Sequence, residues 1–306
     1  MAYDLIIIGA DSAGLTAGIY AGRKKLNTLI LTKQIGGQSI YTNTIENYPG
    51  IDLIGGIELI GKITAQVKKY GVEIKEGEEV VSIEKGEKDF SVKTKNEESI
   101  ETKSVIIATG KVPRRLDVPG EKELENKGVS FCSICDAPLF GGKLVAVIGG
   151  GNSGLETAMD LTKYAEKIYV FEYTPKLRGD EFLQDKLKQS GKVEFILNAE
   201  IKKIKGRDFV EKIVYLERKT EKIKDMPVSG VFVNIGWDPA ALFLGKLVDL
   251  NSRGEIIVNP KTMETSVRGI FAAGDVTESV YKQIVIAAAE GAKAALSAYN
   301  YVMSNE

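Results

Sequence analysis

The sequence predicts an α/β protein built from two domains of one architecture, the second inserted into the first. Three observations carry that prediction. A strand, glycine turn, helix, strand pattern occurs twice, starting near residues 3 and 144. Each copy then runs through a hairpin-rich segment to an apolar strand closed by G-x-x-P. A final strand and a long helix follow the second copy and supply what the first copy lacks.

In the first copy, residues 3–8 read as a buried strand, because the run is short, apolar and ended by glycine. Residues 13–24 (AGLTAGIYAGRK) read as a helix of small residues that can lie close to a sheet, and 29–31 as the next strand. In the second copy, 144–148 is the strand, GGGNSG the turn, 155–164 the helix and 168–171 the following strand. The hairpin-rich segments are VEIKEGEEVVSIEKGEKDFSVKTKNEESIETK and VEFILNAEIKKIKGRDFVEKIVYLERKTEKI. They lead into VIIATGKVP (105–113) and VFVNIGWDP (231–239), where Gly110/Pro113 and Gly236/Pro239 share one spacing. The tail GIFAAGDV (269–276) reads as a strand ending at Asp275, followed by a helix over about 282–302. The expected domains are therefore 1–115 with 246–306, and 116–245, with hinges in the Gly/Pro stretches 110–120 and 236–246.

Composition narrows the function. A length of 306 residues suits about two domains, and 43% apolar with 27% charged is ordinary for a globular protein. A formal net charge of −1 offers no basic field for nucleic acid. The apolar runs at 5–8 and 284–289 are too short to span a bilayer, and no cationic leader precedes the first strand, so a cytoplasmic location is expected. There is no histidine, so any proton transfer falls to a carboxylate, lysine, tyrosine or thiol.

The second glycine turn is a strong motif in context. Gly149, Gly151 and Gly154 fill G-x-G-x-x-G between a strand and a helix, where backbone can approach a pyrophosphate at the helix N-terminus. Glu172 ends the second strand, 21 residues after Gly151, where a carboxylate takes ribose hydroxyls. A carboxylate there hydrogen-bonds a free 2′-hydroxyl and repels a 2′-phosphate, which favours NADH over NADPH; Lys176 and Arg178 soften that preference. The first turn, GADSAG, is weaker, because Asp11 replaces the middle glycine. It reads either as an ordinary strand-to-helix turn with an acid at the helix start, or as a flavin site supported by GGQ at 36–38 and Asp275. The expectation is a bound dinucleotide with the Asp11 carboxylate turned from the phosphates.

Cys132 and Cys135 form a C-x-x-C within FCSICDAP. A closed zinc site needs about four ligands, and no other cysteine or histidine is present. Redox use is the favoured reading, and an inert pair is the alternative.

Taken together, GGQ, IENYPG, VIIATG, FCSICDAP, VIGGGNSGLE, GIFAAGDV and YKQIVIAAAEGAKAA, in that order over essentially the whole chain, resemble the low-molecular-weight thioredoxin reductase family. VFEYTPKLRGDEFLQDKL and GVFVNIGWDPAALFL are most similar to its NADH-using branch, the flavoprotein subunit of alkyl hydroperoxide reductase. That branch carries an extra N-terminal disulfide domain. This chain begins at the first strand, so a separate electron-accepting partner is expected. The resemblance implies the pyridine nucleotide-disulfide oxidoreductase fold, with two Rossmann-like dinucleotide-binding domains. It also implies FAD in the first domain, a nicotinamide cofactor in the second, a homodimer and a swing of one domain against the other.

Carried over by position, the resemblance makes Cys135 the flavin-facing thiol, Cys132 the thiol that attacks a partner disulfide, and Asp136 the acid–base group. The FAD contacts it implies are Gly9, Ala10, Ser12, Ala13 and Gly14 in the first turn, then Gly37, Gln38 and Asn47, Ala108, Thr109 and Gly110, Gly274 and Asp275, and Lys282, Gln283 and Ile284. Those for the nicotinamide cofactor are Gly149, Gly151, Asn152, Ser153, Gly154, Glu156, Glu172 and Gly236, with Glu156 the acid near the nicotinamide. Three departures stand out: GADSAG for the usual G-x-G-P-A-G, the missing pair of phosphate-binding arginines at Tyr173 and Thr174, and Ser133-Ile134 for Ala-Thr between the cysteines.

The expected function is that of an FAD-dependent disulfide reductase passing electrons from NADH to a small thioredoxin- or glutaredoxin-like redoxin. The alternatives are the same flavoprotein with ferredoxin as donor or oxygen as acceptor, and a non-catalytic nucleotide-binding redox sensor.

Overall fold

The computed structural model describes residues 2–42, 44–96 and 98–305. The chain forms two compact units, one of residues 1–112 with 238–306 and the other of residues 113–237. In unit 1 the chain runs β1 (Tyr3–Ala10), α1 (Ser12–Arg23), β2 (Thr28–Ile35), a short 3-10 turn (Ser39–Tyr41), α2 (Gly56–Lys69) and β3 (Glu73–Glu76). It continues through β4 (Val80–Lys85), β5 (Phe90–Thr94) and β6 (Ser99–Ile107), and leaves by β7 (Lys111–Pro113). Unit 2 holds β8 (Val129–Ser130), the one-turn helix α3 (Ser133–Asp136), β9 (Leu144–Ile148), α4 (Asn152–Leu161), β10 (Lys167–Glu172) and α5 (Glu181–Gln189). It then adds β11 (Val193–Leu197), β12 (Ala199–Gly206), β13 (Val210–Glu217), β14 (Lys222–Pro227) and β15 (Gly230–Val233). The chain returns through β16 (Trp237–Pro239) to β17 (Ile270–Ala272) and α6 (Ile284–Ser304).

Both main sheets are built around a parallel core. In unit 1 the order is β3-β2-β1-β6-β5-β4, with β17 also on β6. Strands β3, β2, β1, β6 and β17 run parallel, with Leu5 opposite Thr28 and Ile6 opposite Val105, while β4 and β5 return antiparallel. In unit 2 the order β11-β10-β9-β15-β8 is parallel throughout, and β12–β14 form a separate antiparallel sheet. The first strand of each hairpin-rich segment, β3 or β11, is therefore a parallel edge strand rather than half of a hairpin.

Continuous apolar runs form the central strands because both of their faces are covered. Leu5 and Ile7 point into a core shared with α1, α2 and α6. Ile6 and Ile8 point the other way, onto Phe90, Val92, Ala241 and Leu244. The small residues of α1 let α6 come unusually near: a Cβ on Gly291 would lie 2.0 Å from the Ala13 carbonyl oxygen. Helix α4 starts at Asn152, three residues ahead of the expected 155, directly against the glycine turn; residues 162–164 form a turn after it. The units divide at 112/113 and 237/238, earlier in the chain than 115/116 and 245/246. Ala241 and Leu244 already belong to the unit 1 core, and Thr109 Oγ1 donates to the Ala240 carbonyl at 2.8 Å. No helix among the described residues is long and apolar enough to cross a membrane.

Candidate functional site

The first glycine turn opens a cleft of about 210 Å³ in unit 1. It is lined by Ser12, Ala13, Gln38, Ala108, Gly110, Gly274, Asp275, Lys282, Gln283 and Ile284, all anticipated from the sequence. Asp11, Ser39, Thr42, Ala273 and Ala287 line it as well and were not anticipated as contacts. Gly9 and Gly14 shape the turn instead: a Cβ on Gly14 would lie 1.9 Å from the Gly9 carbonyl oxygen, so β1 and α1 meet only if residue 14 has no side chain. Asn47 lies outside the lining and donates through Nδ2 to Gln283 Oε1 at 3.1 Å.

Asp11 caps α1. Its Oδ1 accepts from the Ser12 amide at 2.6 Å and the Ser12 hydroxyl at 3.0 Å, and its Oδ2 accepts from the Ser39 amide at 3.3 Å. Gly37, at φ +48°, leaves it room, since a Cβ there would be 2.9 Å from Asp11 Oδ2. A carboxylate thus holds backbone donors at the helix end, where an anion is favoured. Asp275 faces the same cleft. Burial raises its carboxyl above the usual range; Lys282 and Lys111 pull it down, and Asp11 and Glu255 push it up. Lys282 is lowered by burial and by Lys111, and its ammonium donates to the Asp275 carbonyl at 3.2 Å and the Thr277 carbonyl at 2.5 Å. Glu255, 3% exposed, anchors these cations. Burial pushes it up, but Asn251, Lys282 and Arg253 outweigh that and hold it low.

The second glycine turn, in unit 2, is built differently at its middle position. Position 149 needs glycine both for its φ of +121° and because a Cβ would meet the Asn234 carbonyl oxygen at 2.2 Å; a Cβ on Gly154 would meet the Gly149 carbonyl oxygen at 2.0 Å. A Cβ on Gly151 would meet nothing within 4 Å, and no side chain caps α4. The turn therefore keeps open space at an uncapped helix N-terminus, which suits a pyrophosphate. Asn152 is engaged elsewhere, its Oδ1 accepting from the Asp180 amide at 2.7 Å, and Gly236 turns at φ +114°.

Glu172 is 1% exposed. Its Oε2 accepts from the Gly150 amide at 2.8 Å, and its Oε1 accepts from the Thr174 amide at 2.9 Å and the Thr174 hydroxyl at 2.8 Å. The Arg178 guanidinium lies 3.8 Å from it. Gly150 emerges as a site residue here, since a Cβ would sit 2.7 Å from Glu172 Oε2. The run of three glycines was its only sequence signal. Glu156 and Ser153 are exposed on the first turns of α4. Glu156 is nonetheless flanked by enough protein to be raised by burial, and next by Asp160.

Also in unit 2, Cys132 and Cys135 are joined in a disulfide around α3. Cys132 Sγ accepts from the Cys135 amide at 3.2 Å, the Asp136 amide donates to the Cys132 carbonyl at 3.3 Å, and Cys135 is exposed. Residues 3–291 match the family model described as pyridine nucleotide-disulphide oxidoreductase. A protein named NADH dehydrogenase from Bacillus subtilis is 41% identical over 304 residues, 99% of this chain and 59% of that protein. An alkyl hydroperoxide reductase subunit from Staphylococcus aureus is 41% identical over 303 residues, 99% of this chain and 60% of that protein. The chain thus spans about three-fifths of the length of these curated relatives. Among solved structures, Lactococcus lactis thioredoxin reductase superposes with a TM-score of 0.87 at 37% identity, covering 99% of both chains.

Proposed function

The chain belongs to the pyridine nucleotide-disulphide oxidoreductase family and is an oxidoreductase of thioredoxin reductase-like architecture; on that premise we propose that it carries electrons from NADH, through FAD, to the disulfide of a thioredoxin-like protein. The observation that carries the reading is the Cys132–Cys135 bridge in the same unit as an open glycine turn with a buried acid at the end of its second strand.

FAD supplies two-electron chemistry between a nicotinamide hydride and a disulfide. The unit 1 cleft would hold it through the α1 end, Gln38, Asp275 and the Lys282–Ile284 segment. In unit 2 the space at Gly151 and the N-terminus of α4 receive the nicotinamide cofactor's pyrophosphate. On this reading Glu172 is the acid assigned to the ribose hydroxyls and disfavours a 2′-phosphate, which supports NADH. Arg178 at 3.8 Å reduces that discrimination without removing it.

Cys135, the more exposed residue of the pair, takes electrons, and Cys132 then attacks the partner disulfide. The Cys135 amide aimed at Cys132 Sγ stabilises a thiolate on that sulfur, the form needed for attack. Asp136, next in sequence, provides and accepts the proton in place of histidine. The homodimer implied by the family resemblance is part of this reading.

The test is an anaerobic titration of the purified protein with NADH and separately NADPH, following flavin absorbance. Bleaching by NADH at far lower concentration than NADPH is expected. Cys135→Ser should keep flavin reduction and lose redoxin turnover; continued turnover would overturn the mechanism. A flavin that neither nucleotide bleaches would overturn the choice of donor.

A further inference from the structure

The residues between the two cysteines carry a contact that the mechanism above does not use. Ser133 is the first residue of α3, and its Oγ donates to Asp160 Oδ2 at 2.9 Å. Among the described residues, the other side-chain hydrogen bonds of this turn lie within residues 130–135. The Cys132 amide donates to Ser130 Oγ at 3.1 Å, Ser130 Oγ donates to the Cys132 carbonyl at 3.2 Å, and the Cys135 amide donates to Cys132 Sγ. The bond to Asp160 instead ties the turn to α4, an element 27 residues away in sequence.

Helix α4 is a firm anchor. Leu155, Ala158 and Leu161 are fully buried, in one cluster with Ala137 and Phe140, which directly follow the redox turn. The turn is thus fixed behind Asp136 by core packing, and inside the C-x-x-C by the serine hydroxyl. Placing Asp160 there has a cost. It stands one helical turn from Glu156, and its charge helps to raise that carboxyl. A carboxylate kept beside another acid, with its oxygen on the Ser133 hydroxyl, reads as a clamp rather than as a solvated surface charge.

We propose that Asp160, acting through Ser133, is a positioning residue for the Cys132–Cys135 couple, holding the turn in the arrangement that joins the sulfurs and favouring the disulfide over the dithiol. The physical basis is effective concentration. Closing an intramolecular disulfide is favoured in proportion to how often the two thiols meet, and a tether that survives reduction keeps them close. The proposal deepens the disulfide-reductase reading and rests on the couple being redox-active. The reaction it concerns is a two-electron exchange. Two thiols of dithiothreitol give up two electrons and two protons and close their own S–S bond, while the Cys132–Cys135 bond breaks and both sulfurs are protonated.

The experiment equilibrates the full chain anaerobically in dithiothreitol buffers of graded reduced-to-oxidised ratio. Thiols are then trapped with a maleimide and counted by mass. With two cysteines in the chain, the added mass reports this couple alone. Ser133→Ala and Asp160→Ala should each become dithiol at a reduced-to-oxidised ratio lower by about threefold to thirtyfold, where tenfold equals about 30 mV. Ser133→Thr keeps the hydroxyl, Asp160→Asn keeps an acceptor, and both should stay within about threefold of wild type. A merely structural bond would lower the melting temperature of the alanine variants and leave their midpoint where it was. That result, or a threonine variant shifted as far as the alanine one, overturns the clamp. A wild-type couple that dithiothreitol leaves unreduced at every ratio overturns the underlying reading instead.

Discussion

Replacing Asp11 by glycine should tighten FAD binding, contrary to the usual cost of removing a polar residue from a cofactor cleft. The Asp11 carboxylate occupies the Ser12 amide and reaches the Ser39 amide, two backbone donors at the mouth of the unit 1 cleft. A phosphate entering there must displace the carboxylate or bind beside it, against its charge. Glycine frees the Ser12 amide and removes the charge, while the Ser39 amide keeps its 3.0 Å bond to the Gly36 carbonyl; it also restores the middle glycine that the second turn has at Gly151. The loss of the cap is small, since glycine in place of aspartate at an N-cap costs only about a few tenths of a kcal/mol. Asp11 has φ −101°, so glycine needs no backbone change. Hydrogen bonds to charged groups are worth about 1.5–3 kcal/mol each. Much of that is already realised with the carboxylate or with water, and a net gain of about 1.4 kcal/mol, tenfold in Kd, is the expected minimum. The assay strips the flavin and titrates FAD back, reading the quenching of its fluorescence, with the melting temperature measured in parallel. Asp11→Asn, which keeps a cap without the charge, should fall between wild type and Asp11→Gly. An unchanged or weaker Kd in a glycine variant of normal stability would refute the argument, leaving Asp11 as a cap that phosphates do not compete with.

Other outcomes test the remaining parts of the structure. Gly291→Ala places a methyl 2.0 Å from the Ala13 carbonyl, so α6 must move off α1; a net loss of about 1–3 kcal/mol in urea unfolding is expected despite alanine's better helix propensity. Glu172→Gln turns one of three satisfied donor contacts into an amide facing an N–H, which should cost about 1–3 kcal/mol of stability and weaken NADH binding by about tenfold in a calorimetric titration. The Glu156 carboxyl is raised from its ordinary 4.5 in the folded protein, by burial and then by Asp160, so folding tightens its hold on that proton. Its contribution therefore favours folding at low pH and is lost as pH rises through the raised value. The melting temperature should thus gain more from Asp160→Asn above that range than below it. An equal gain at every pH would show that the two carboxyls do not interact.

The duplicated plan was legible in the sequence because parallel strands covered on both faces must be continuous apolar runs, and 3–8, 105–107, 144–148 and 231–233 leave few other readings. The inserted order, the two glycine turns, Glu172 and the C-x-x-C were legible for a similar reason: each depends on spacing within a few residues or on one strand end. The start of α4 was misplaced by three residues, because Asn152 and Ser153 look like turn residues until the glycine backbone directs them into a helix. Strand periodicity does not distinguish the edge strands β3 and β11 from hairpin arms, since pairing partners are a long-range choice.

What only the tertiary structure decided are contacts between residues far apart in the chain. Gly150 is required because Glu172 packs over it, and Ser39 matters because it meets Asp11 across 28 positions. Ser133 finds Asp160 because α4 lies beside the redox turn. The sequence alone determined which backbone turns this chain makes and which acids and thiols stand at their ends. The fold determined whether each turn is left open, as at Gly151, or closed by a side chain, as at Asp11, because a hydrogen bond depends on distances that only packing sets.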